Sequence, residues 1–248
     1  MIWRVEHFEE IDSTNSWLVE AAKNGAPEGT VVYADYQSAG RGRLDRRWVS
    51  KPGASLLCSI LVRAPVELDQ LHLVVAAVAL AARAALVRLS GVRPSLKWPN
   101  DLLVEESKLA GLLGEVVVTS DGVALVVGIG VNLTDAGPSE ANGTSVLDVS
   151  GVTITPRALL DILLEEFESR RGMLETSEGR EVLREEYGRA LVTLGQEVRV
   201  ERLEGSVHGV ARGVDVLGQL VVEIDGELTT INVGDIIHLR HVGSGTRA

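Results

Sequence analysis

Residues 97–133 read KWPNDLLVEESKLAGLLGEVVVTSDGVALVVGIGVNL and carry the clearest structural signal of the chain. Two runs rich in valine and leucine, residues 112–118 and 123–131, predict buried strands joined by a short turn. Lys108 leads into the first run, close to Gly111, and a lysine in this place either ends in solvent or points into a pocket. Glycines inside such strands indicate close packing of backbone or of a ligand.

The patterns before residue 193 mix strands with helices, whereas those after it show only short alternating strands between glycine-rich turns. This second part resembles a small closed or half-closed β-barrel, with a last strand at 231–239. A boundary is expected near Thr193, which gives domains 1–192 and 193–248. The predicted strands of the first domain are 30–36, 55–62, 94–98, 112–118 and 123–131, and its predicted helices are 11–24, 68–89, 157–168 and 181–191.

Charge and composition exclude several classes of protein. The 248 residues carry a formal net charge of -11, so the chain lacks the broad positive charge that wrapping nucleic acid requires. The single cysteine, Cys58, excludes a disulfide framework, and its apolar neighbours predict a buried thiol. The N-terminus has no apolar signal core, and the apolar run 71–87 is interrupted by Arg83. A core helix and a cytoplasmic location are therefore expected.

One basic segment stands out against this acidic background, residues 37–51, which read QSAGRGRLDRRWVSK. Its four arginines and one lysine accompany a single acid, Asp45. Arginine forks suit phosphate or carboxylate, glycines let the backbone approach a ligand closely, and Trp48 offers a face for stacking. The segment predicts a loop that closes over a small anionic, partly aromatic ligand such as a nucleotide. A solvated charged turn is the alternative.

Two polar groups precede the strands described above. Residues 13–15 (STN) begin a predicted helix, and they serve either as its N-cap or as hydrogen-bond partners of a ligand. Lys97 leaves a predicted strand, and Asn100 and Asp101 follow Pro99 either as turn formers or as site residues.

A third polar group, GIGVN at residues 128–132, ends a predicted strand. Its glycines either pack against protein or make room for a flat ligand, and Asn132 is then placed to contact an adenine edge or a phosphate. No nucleophile and base stand together, because the five histidines are scattered along the chain. This favours chemistry by positioning and charge stabilisation, as in nucleotidyl transfer.

In combination these motifs resemble the biotin–protein ligases. STN, QSAGRGRxxRxW, KWPND, SKLAGLLGE and GIGVNL occur in this order, and the similarity covers essentially the whole chain. The resemblance implies an α+β fold of the biotin ligase and class II synthetase type. In that fold a catalytic domain with a mixed or antiparallel sheet flanked by helices is followed by a small SH3-like β-barrel.

The resemblance also implies a two-step reaction. Biotin and Mg-ATP give biotinyl-5′-AMP and pyrophosphate, and the biotinyl group then passes to a lysine of the biotin carboxyl carrier domain of acetyl-CoA carboxylase or another biotin-dependent carboxylase. The family pattern assigns biotin binding to Ser13, Thr14, Asn15, Gln37, Gly40, Arg41, Gly42, Arg43, Lys108 and Gly111. It assigns the ATP side to Arg43, Arg46, Trp48, Lys97, Asn100 and Asn132. It assigns the catalytic charges to Arg43, Lys97 and Lys108.

Other expectations concern the metal, the loop and the partners. Mg²⁺ is expected to be held mainly by phosphates, with Asp101 as a candidate helper and no assigned set of protein ligands. The family loop reads GRGRxGRxW, and Asp45 stands in place of the third glycine of this motif. This replacement is expected to affect the closed shape of the loop. Because STN begins at Ser13, the form without an N-terminal DNA-binding domain is expected. We therefore expect no operator binding, no membrane association, and a monomer or homodimer.

Two other functions compete with this interpretation. A lipoate–protein ligase shares a related fold and an acyl-adenylate mechanism, but the KWPND and GRGR segments favour biotin. A non-enzymatic nucleotide- or RNA-binding module would use the basic loop and Trp48 for stacking. The net charge of -11 counts against that module.

Overall fold

A seven-stranded sheet forms the centre of the computed structural model, which describes residues 1–43, 46–63, 66–138, 142–202 and 205–231. The outer pair at one edge is parallel, and every other neighbouring pair is antiparallel. The strands are β1 Arg4–Ile11, β2 Thr30–Gln37, β3 Ser55–Val62, β4 Ser95–Lys97, β5 Asp101–Val104, β6 Ser107–Thr119 and β7 Gly122–Asn132. Their order across the sheet is β1-β2-β3-β7-β6-β5-β4.

Helices cover both faces of this sheet. They are α1 Thr14–Lys23, α2 Leu71–Ser90, α3 Val146–Ser150, α4 Pro156–Met173 and α5 Ser177–Ala190. Helix α1 buries Leu18 and Ala22 against one face, beside Val32 and Val126. Helices α2, α4 and α5 pack against one another on the opposite face and enclose the larger core.

The segment 68–90 is long and apolar enough, by length and composition, to cross a membrane. In the structure 61% of the apolar 18-residue stretch within this segment is buried inside the protein. A short 3-10 turn, Leu68–Gln70, precedes α2. Gly91 caps the C-terminal end of α2 in the left-handed conformation, with φ 75°. The alanine-rich sequence lets α2 lie close to the sheet and to α4, so this segment is a core helix, as the sequence predicts.

A second, antiparallel sheet follows α5 in the chain. Its strands are β8 Glu197–Arg202, β9 Gly205–Val214, β10 Leu220–Ile224 and β11 Glu227–Ile231, in the order β11-β10-β9-β8. The α+β class, with a mixed sheet flanked by helices and a small β-domain after it, is confirmed. The strand predicted at 231–239 lies outside the described residues apart from Ile231, as does any closure into a barrel that depends on it. The boundary at residue 193 stays a prediction.

Several elements differ from the sequence-based expectation. The helix predicted at 11–24 begins only at Thr14, because Ile11 ends β1 and Ser13 caps the helix. Strand β1 escaped prediction because it is an edge strand whose side chains are mostly exposed and charged. Strand β5 and helix α3 were not predicted, since four or five residues give little periodicity. Strand β6 and helix α5 begin earlier than expected, at Ser107 and Ser177.

The core position of α2 makes a quantitative prediction. Leu80 is 1% exposed, so Leu80→Ala should lower the free energy of unfolding by about 2–5 kcal/mol through lost burial and a cavity. Val182→Ala on α5, where the side chain is 54% exposed, should change it by no more than about 0.5 kcal/mol. Urea denaturation monitored by circular dichroism measures both, and equal losses would contradict the packing described here.

Candidate active site

A cleft of about 550 Å³ opens over strands β5, β6 and β7 on the α1 side of the sheet. This volume lies within the range of about 300–1,000 Å³ that is usual for small-molecule sites. Every site residue predicted from the sequence lines this cleft except Gly40. The lining members are Ser13, Thr14, Asn15, Gln37, Arg41, Gly42, Arg43, Arg46, Trp48, Lys97, Asn100, Lys108, Gly111 and Asn132.

Uncharged polar groups gather at one end of the cleft, where α1 begins. Ser13 is the N-cap, and its Oγ accepts a hydrogen bond from the Ser16 backbone N–H at 3.4 Å. The Thr14 backbone N–H and hydroxyl both donate to Gln37 Oε1, at 2.7 and 2.9 Å. Ser13, Thr14 and Asn15 are each less than 5% exposed. The sequence STN therefore both caps the helix and lines the cleft.

Two residues that sequence reasoning missed fix the orientation of Asn15. Ser59 Oγ donates to Asn15 Oδ1 at 2.5 Å and lies 2.8 Å from Thr14 Oγ1. Asn15 Nδ2 donates to Glu115 Oε2 at 2.8 Å. The available signals were a serine inside the apolar run of β3 and a glutamate inside the apolar run of β6.

Glycines on β7 make room for side chains of the protein itself. A Cβ at Gly128 would lie 2.1 Å from Asn15 Oδ1, and one at Gly130 would lie 2.5 Å from Trp48 Cε2. Gly111, the cross-strand partner of Gly130, also lies beneath the Trp48 ring. These glycines thus pack against protein side chains: Asn15 lies against Gly128, and the Trp48 indole lies over Gly111 and Gly130. Room for a flat ligand stays a prediction.

Residues 40–43 and 46–48 of the basic loop form two short antiparallel arms at the rim of the cleft, here called the hairpin. Arg41 pairs with Arg47 as an isolated antiparallel bridge, and the Gly42 N–H donates to the Arg46 carbonyl at 2.7 Å. A Cβ at Gly40 would lie 2.5 Å from the Trp48 carbonyl oxygen, so Gly40 shapes the base of the hairpin. Residues 44–45, and with them the predicted effect of Asp45, lie outside the described residues.

Cations of the hairpin are held by partners across the cleft. Arg41 Nη1 lies 2.9 Å from Glu115 Oε1, so one carboxylate contacts both the loop and Asn15. Arg43 Nη1 donates to Asn100 Oδ1 at 3.2 Å. Burial lowers the pKa of Arg43, the nearby charge of Asp101 raises it, and Arg46 lowers it further. A partly desolvated cation of this kind interacts strongly with an incoming anion.

Lys108 and Lys97 complete the positive end. Lys108 Nζ lies 2.7 Å from Asp101 Oδ1 and 5.8 Å from the centroid of the Trp48 ring. Lys97 pairs with Asp101 in the β4–β5 register and lines the same part of the cleft. The lysine that enters β6 therefore lines the cleft, and its predicted role towards a ligand stays a prediction.

The Asn132 side chain holds neighbouring backbone segments together where β7 ends. Its Nδ2 lies 3.0 Å from the Thr144 carbonyl oxygen, 3.4 Å from that of Ala136 and 3.5 Å from that of Lys108. The side chain thereby ties the segment after β7 to the start of β6. Its predicted contact with ATP stays a prediction.

Two further kinds of site, a reactive thiolate and a metal ion held by protein side chains alone, were sought among the described residues. Burial raises the pKa of the Cys58 thiol to about 12, so this thiol stays protonated. Within the same residues no group of three or more histidine, cysteine, aspartate or glutamate side chains could hold a metal ion. Asp101 and Glu106 are the carboxylates on the lining, which fits a cation that arrives with phosphates better than a resident metal.

Fold and cleft together define an α+β domain whose cleft has uncharged hydrogen-bonding side chains where α1 begins, bordered by the Arg41–Glu115 ion pair, and further cations around Asp101. Comparison with known families identifies the class. Residues 7–132 match the biotin/lipoate A/B protein ligase family, and residues 193–239 match the biotin protein ligase C terminal domain.

Individual relatives agree with this match. The chain is 34% identical to the biotin–[acetyl-CoA-carboxylase] ligase of Mycobacterium tuberculosis, over 96% of this chain and 90% of that protein. It is 31% identical to the bifunctional ligase/repressor BirA of Bacillus subtilis, over 93% of this chain and 72% of that protein. The biotin protein ligase from Aquifex aeolicus in complex with biotin and ATP has a TM-score of 0.82 and 28% identity, covering 96% of this chain and 98% of that one. The chain belongs to the biotin/lipoate A/B protein ligase family.

The close approach of Asn15 to Gly128 can be tested by a double-mutant cycle. Gly128→Ala should lower the free energy of unfolding by about 1–3 kcal/mol, because the new methyl group forces Asn15 out of its hydrogen bonds. In an Asn15→Ala background the same substitution should cost clearly less. Gly172→Ala on α4, where a Cβ meets nothing within 4 Å, is the matched control and should not destabilise the protein. An equal cost in both backgrounds would contradict the contact.

Proposed function

We propose that this protein is a biotin–protein ligase. It joins biotin to Mg-ATP to give biotinyl-5′-AMP and pyrophosphate, and it then transfers the biotinyl group to a lysine of a carrier domain. The observation that carries the proposal is the division of one cleft into a neutral hydrogen-bonding end and a cationic end. Biotin has the matching division, with a neutral ureido ring at one end and a carboxylate at the other.

The neutral end is assigned to the ureido ring. The ring offers one carbonyl acceptor and two N–H donors, and hydroxyl and amide groups satisfy both kinds of partner. Ser13, Thr14 and Asn15 supply such groups in a buried setting, and the half-buried Gln37 supplies another. The valeryl chain then runs from this end towards the cations.

The cationic end is assigned to the chemical step. A carboxylate oxygen of biotin attacks the α-phosphorus of ATP, an oxygen–phosphorus bond forms, and pyrophosphate leaves. Two anions meet in this step, so cations at the meeting point lower the barrier. We assign this role to Arg43 and Lys108 because Asp101 lies close to both, and to Lys97 because it stands opposite Asp101 in the β4–β5 register.

The hairpin is assigned to protection of the intermediate. A mixed anhydride hydrolyses readily, so a closed loop that excludes water preserves it. Arg41 and Gly42 lie at the rim, and Trp48 and Arg46 line the side expected to hold the nucleotide. In the second step the amine of the acceptor lysine attacks the acyl carbonyl, and AMP leaves with the phosphate oxygen.

Magnesium enters this scheme as part of the substrate Mg-ATP. Phosphate oxygens and water supply most ligands of Mg²⁺, and one or two carboxylates complete its shell. Asp101 is our candidate for such a carboxylate because it lies on the cleft next to Lys97 and Lys108.

The proposed acceptor is the biotin carboxyl carrier domain of acetyl-CoA carboxylase or another biotin-dependent carboxylase, and the proposed compartment is the cytoplasm. The acceptor is supported by the name of the Mycobacterium tuberculosis relative, which covers nearly the whole chain.

Lipoate is the competing substrate, because the family includes lipoate ligases. Lipoate has a dithiolane ring in place of the ureido ring, and that ring has no N–H group and no carbonyl. The polar groups of the neutral end would then gain no hydrogen bonds from the ligand ring, so lipoate would bind less tightly than a ring that offers them. Biotin is therefore the better fit.

The first prediction is biotin-dependent release of pyrophosphate from ATP by the purified protein. Addition of a carrier domain should give a biotinylated lysine, detected by mass spectrometry. Calorimetric titrations with biotin and with lipoate serve as the specificity control, and only biotin should bind tightly. Tight lipoate binding without biotin binding would overturn the assignment.

The second prediction concerns Arg43→Ala. Loss of one cation in the closed site should lower the rate of adenylate formation by about 10²–10³ and accelerate escape of the adenylate. Arg157→Ala, which breaks an exposed pair with Asp161 on α4, is the matched control. Rapid-quench measurement of adenylate formation, with a trap for released adenylate, gives both rates. Wild-type rates in Arg43→Ala would remove this residue from the chemical step.

A further inference from the structure

Trp98 links the cleft to the second sheet. It lies between Lys97 and Pro99 in the chain, and its side chain is 1% exposed. Its backbone N–H donates to Thr193 Oγ1 at 3.1 Å, and its indole Nε1–H donates to the Gly218 carbonyl oxygen at 3.3 Å. Both N–H groups of this residue are therefore satisfied by the segment that begins at Thr193.

The turn between β9 and β10 that presents the Gly218 carbonyl is shaped by Asp215. Asp215 Oδ1 accepts hydrogen bonds from the backbone N–H groups of Leu217 and Gln219, both at 2.9 Å. The Asp215 N–H donates to the Gln219 carbonyl at 2.9 Å, and the Gly218 N–H donates to the Asp215 carbonyl at 3.0 Å. An aspartate side chain that bonds its own turn in this way fixes the local backbone.

Residues of the first domain close tightly around the turn. Gly218 has φ +79°, and a Cβ there would lie 2.8 Å from His72 Cδ2. The His72 ring lies 5.9 Å from the Trp98 ring and 6.0 Å from the Tyr187 ring. The Tyr187 hydroxyl donates to the Pro99 carbonyl at 3.4 Å. The turn and the Trp98–Pro99 segment are thus packed together around the rings of His72, Trp98 and Tyr187.

The same segment carries two residues of the cationic end. Lys97 precedes Trp98, and Asn100 follows Pro99. Asn100 Nδ2 donates to the Leu112 carbonyl at 2.8 Å, and its Oδ1 accepts from Arg43. The neutral end is held by other partners, since Thr14 and Asn15 bond to Gln37, Ser59 and Glu115.

We propose that the turn Asp215–Gln219, together with Thr193, positions the nucleotide side of the site. It does so by fixing Trp98 and thereby Lys97, Asn100 and Arg43. This inference rests on the proposed function, because it assigns the cationic end to ATP. Asp215 and Thr193 are positioning residues in this scheme and do not touch the substrates.

The test compares paired variants at each position. Asp215→Ala removes the acceptor of two N–H groups, whereas Asp215→Asn keeps an oxygen in the Oδ1 position. Thr193→Val removes the acceptor of the Trp98 N–H, whereas Thr193→Ser keeps it. For each variant, calorimetry gives the affinities for ATP and for biotin, and pyrophosphate release gives kcat and KM.

We expect the Ala and Val variants to lower kcat/KM for ATP by about 10-fold to 100-fold, as small misplacements of catalytic groups do, with biotin affinity unchanged. The Asn and Ser variants should restore the ATP parameters. Equal loss of ATP and biotin affinity, no change in the ATP parameters, or failure of the conservative variants to rescue would overturn the proposal.

The proposed function and this inference fail in different ways. Wild-type protein that releases no pyrophosphate with biotin would contradict the proposed function, while the ATP and biotin affinities of the variants would still test the coupling. Wild-type activity with unchanged ATP parameters in both Asp215→Ala and Thr193→Val would contradict the coupling alone.

Discussion

The absence of side chains at Gly128 and Gly130 is the constraint on which the cleft depends. A Cβ at either position would overlap another side chain, Asn15 in one case and Trp48 in the other. The two glycines face the same side of β7 because alternate residues of a strand share a face. One organises the neutral end of the cleft and the other the floor below the cations, so a single strand sets the distance between the two ends.

Charge balance explains how an acidic chain maintains a cationic site. The protein has a formal net charge of -11, yet the cleft gathers arginines and lysines in a partly desolvated place. Carboxylates of the sheet hold two of these cations, Glu115 with Arg41 and Asp101 with Lys108. Such pairing offsets the repulsion between neighbouring cations. An anionic ligand then competes with carboxylates that already hold the cations in place.

The sequence predicted the residues that line the cleft better than the contacts that hold those residues in place, for a physical reason. Local motifs carry the glycines, the cations and the helix start, so residues 13–15 and the basic loop could be identified without a structure. The supporting contacts are long-range: Asn15 and Glu115 are 100 residues apart, and Trp98 and Gly218 are 120 apart. No local pattern marks Glu115 or Thr193 as a partner. Likewise β1 was missed because an exposed, charged edge strand lacks the apolar alternation on which strand prediction depends.

The most direct test of the account is a crystal structure of the protein with biotin and a non-hydrolysable ATP analogue. The account predicts the ureido ring against Ser13, Thr14 and Asn15, and the biotin carboxylate next to the α-phosphate, between Lys108 and Arg43. A second cavity of about 420 Å³, lined by His72 and Val116, shares Arg43 and Asn100 with the main cleft. Biotin bound in that cavity, or biotin reversed in the main cleft, would contradict the division of the site into a neutral and a cationic end.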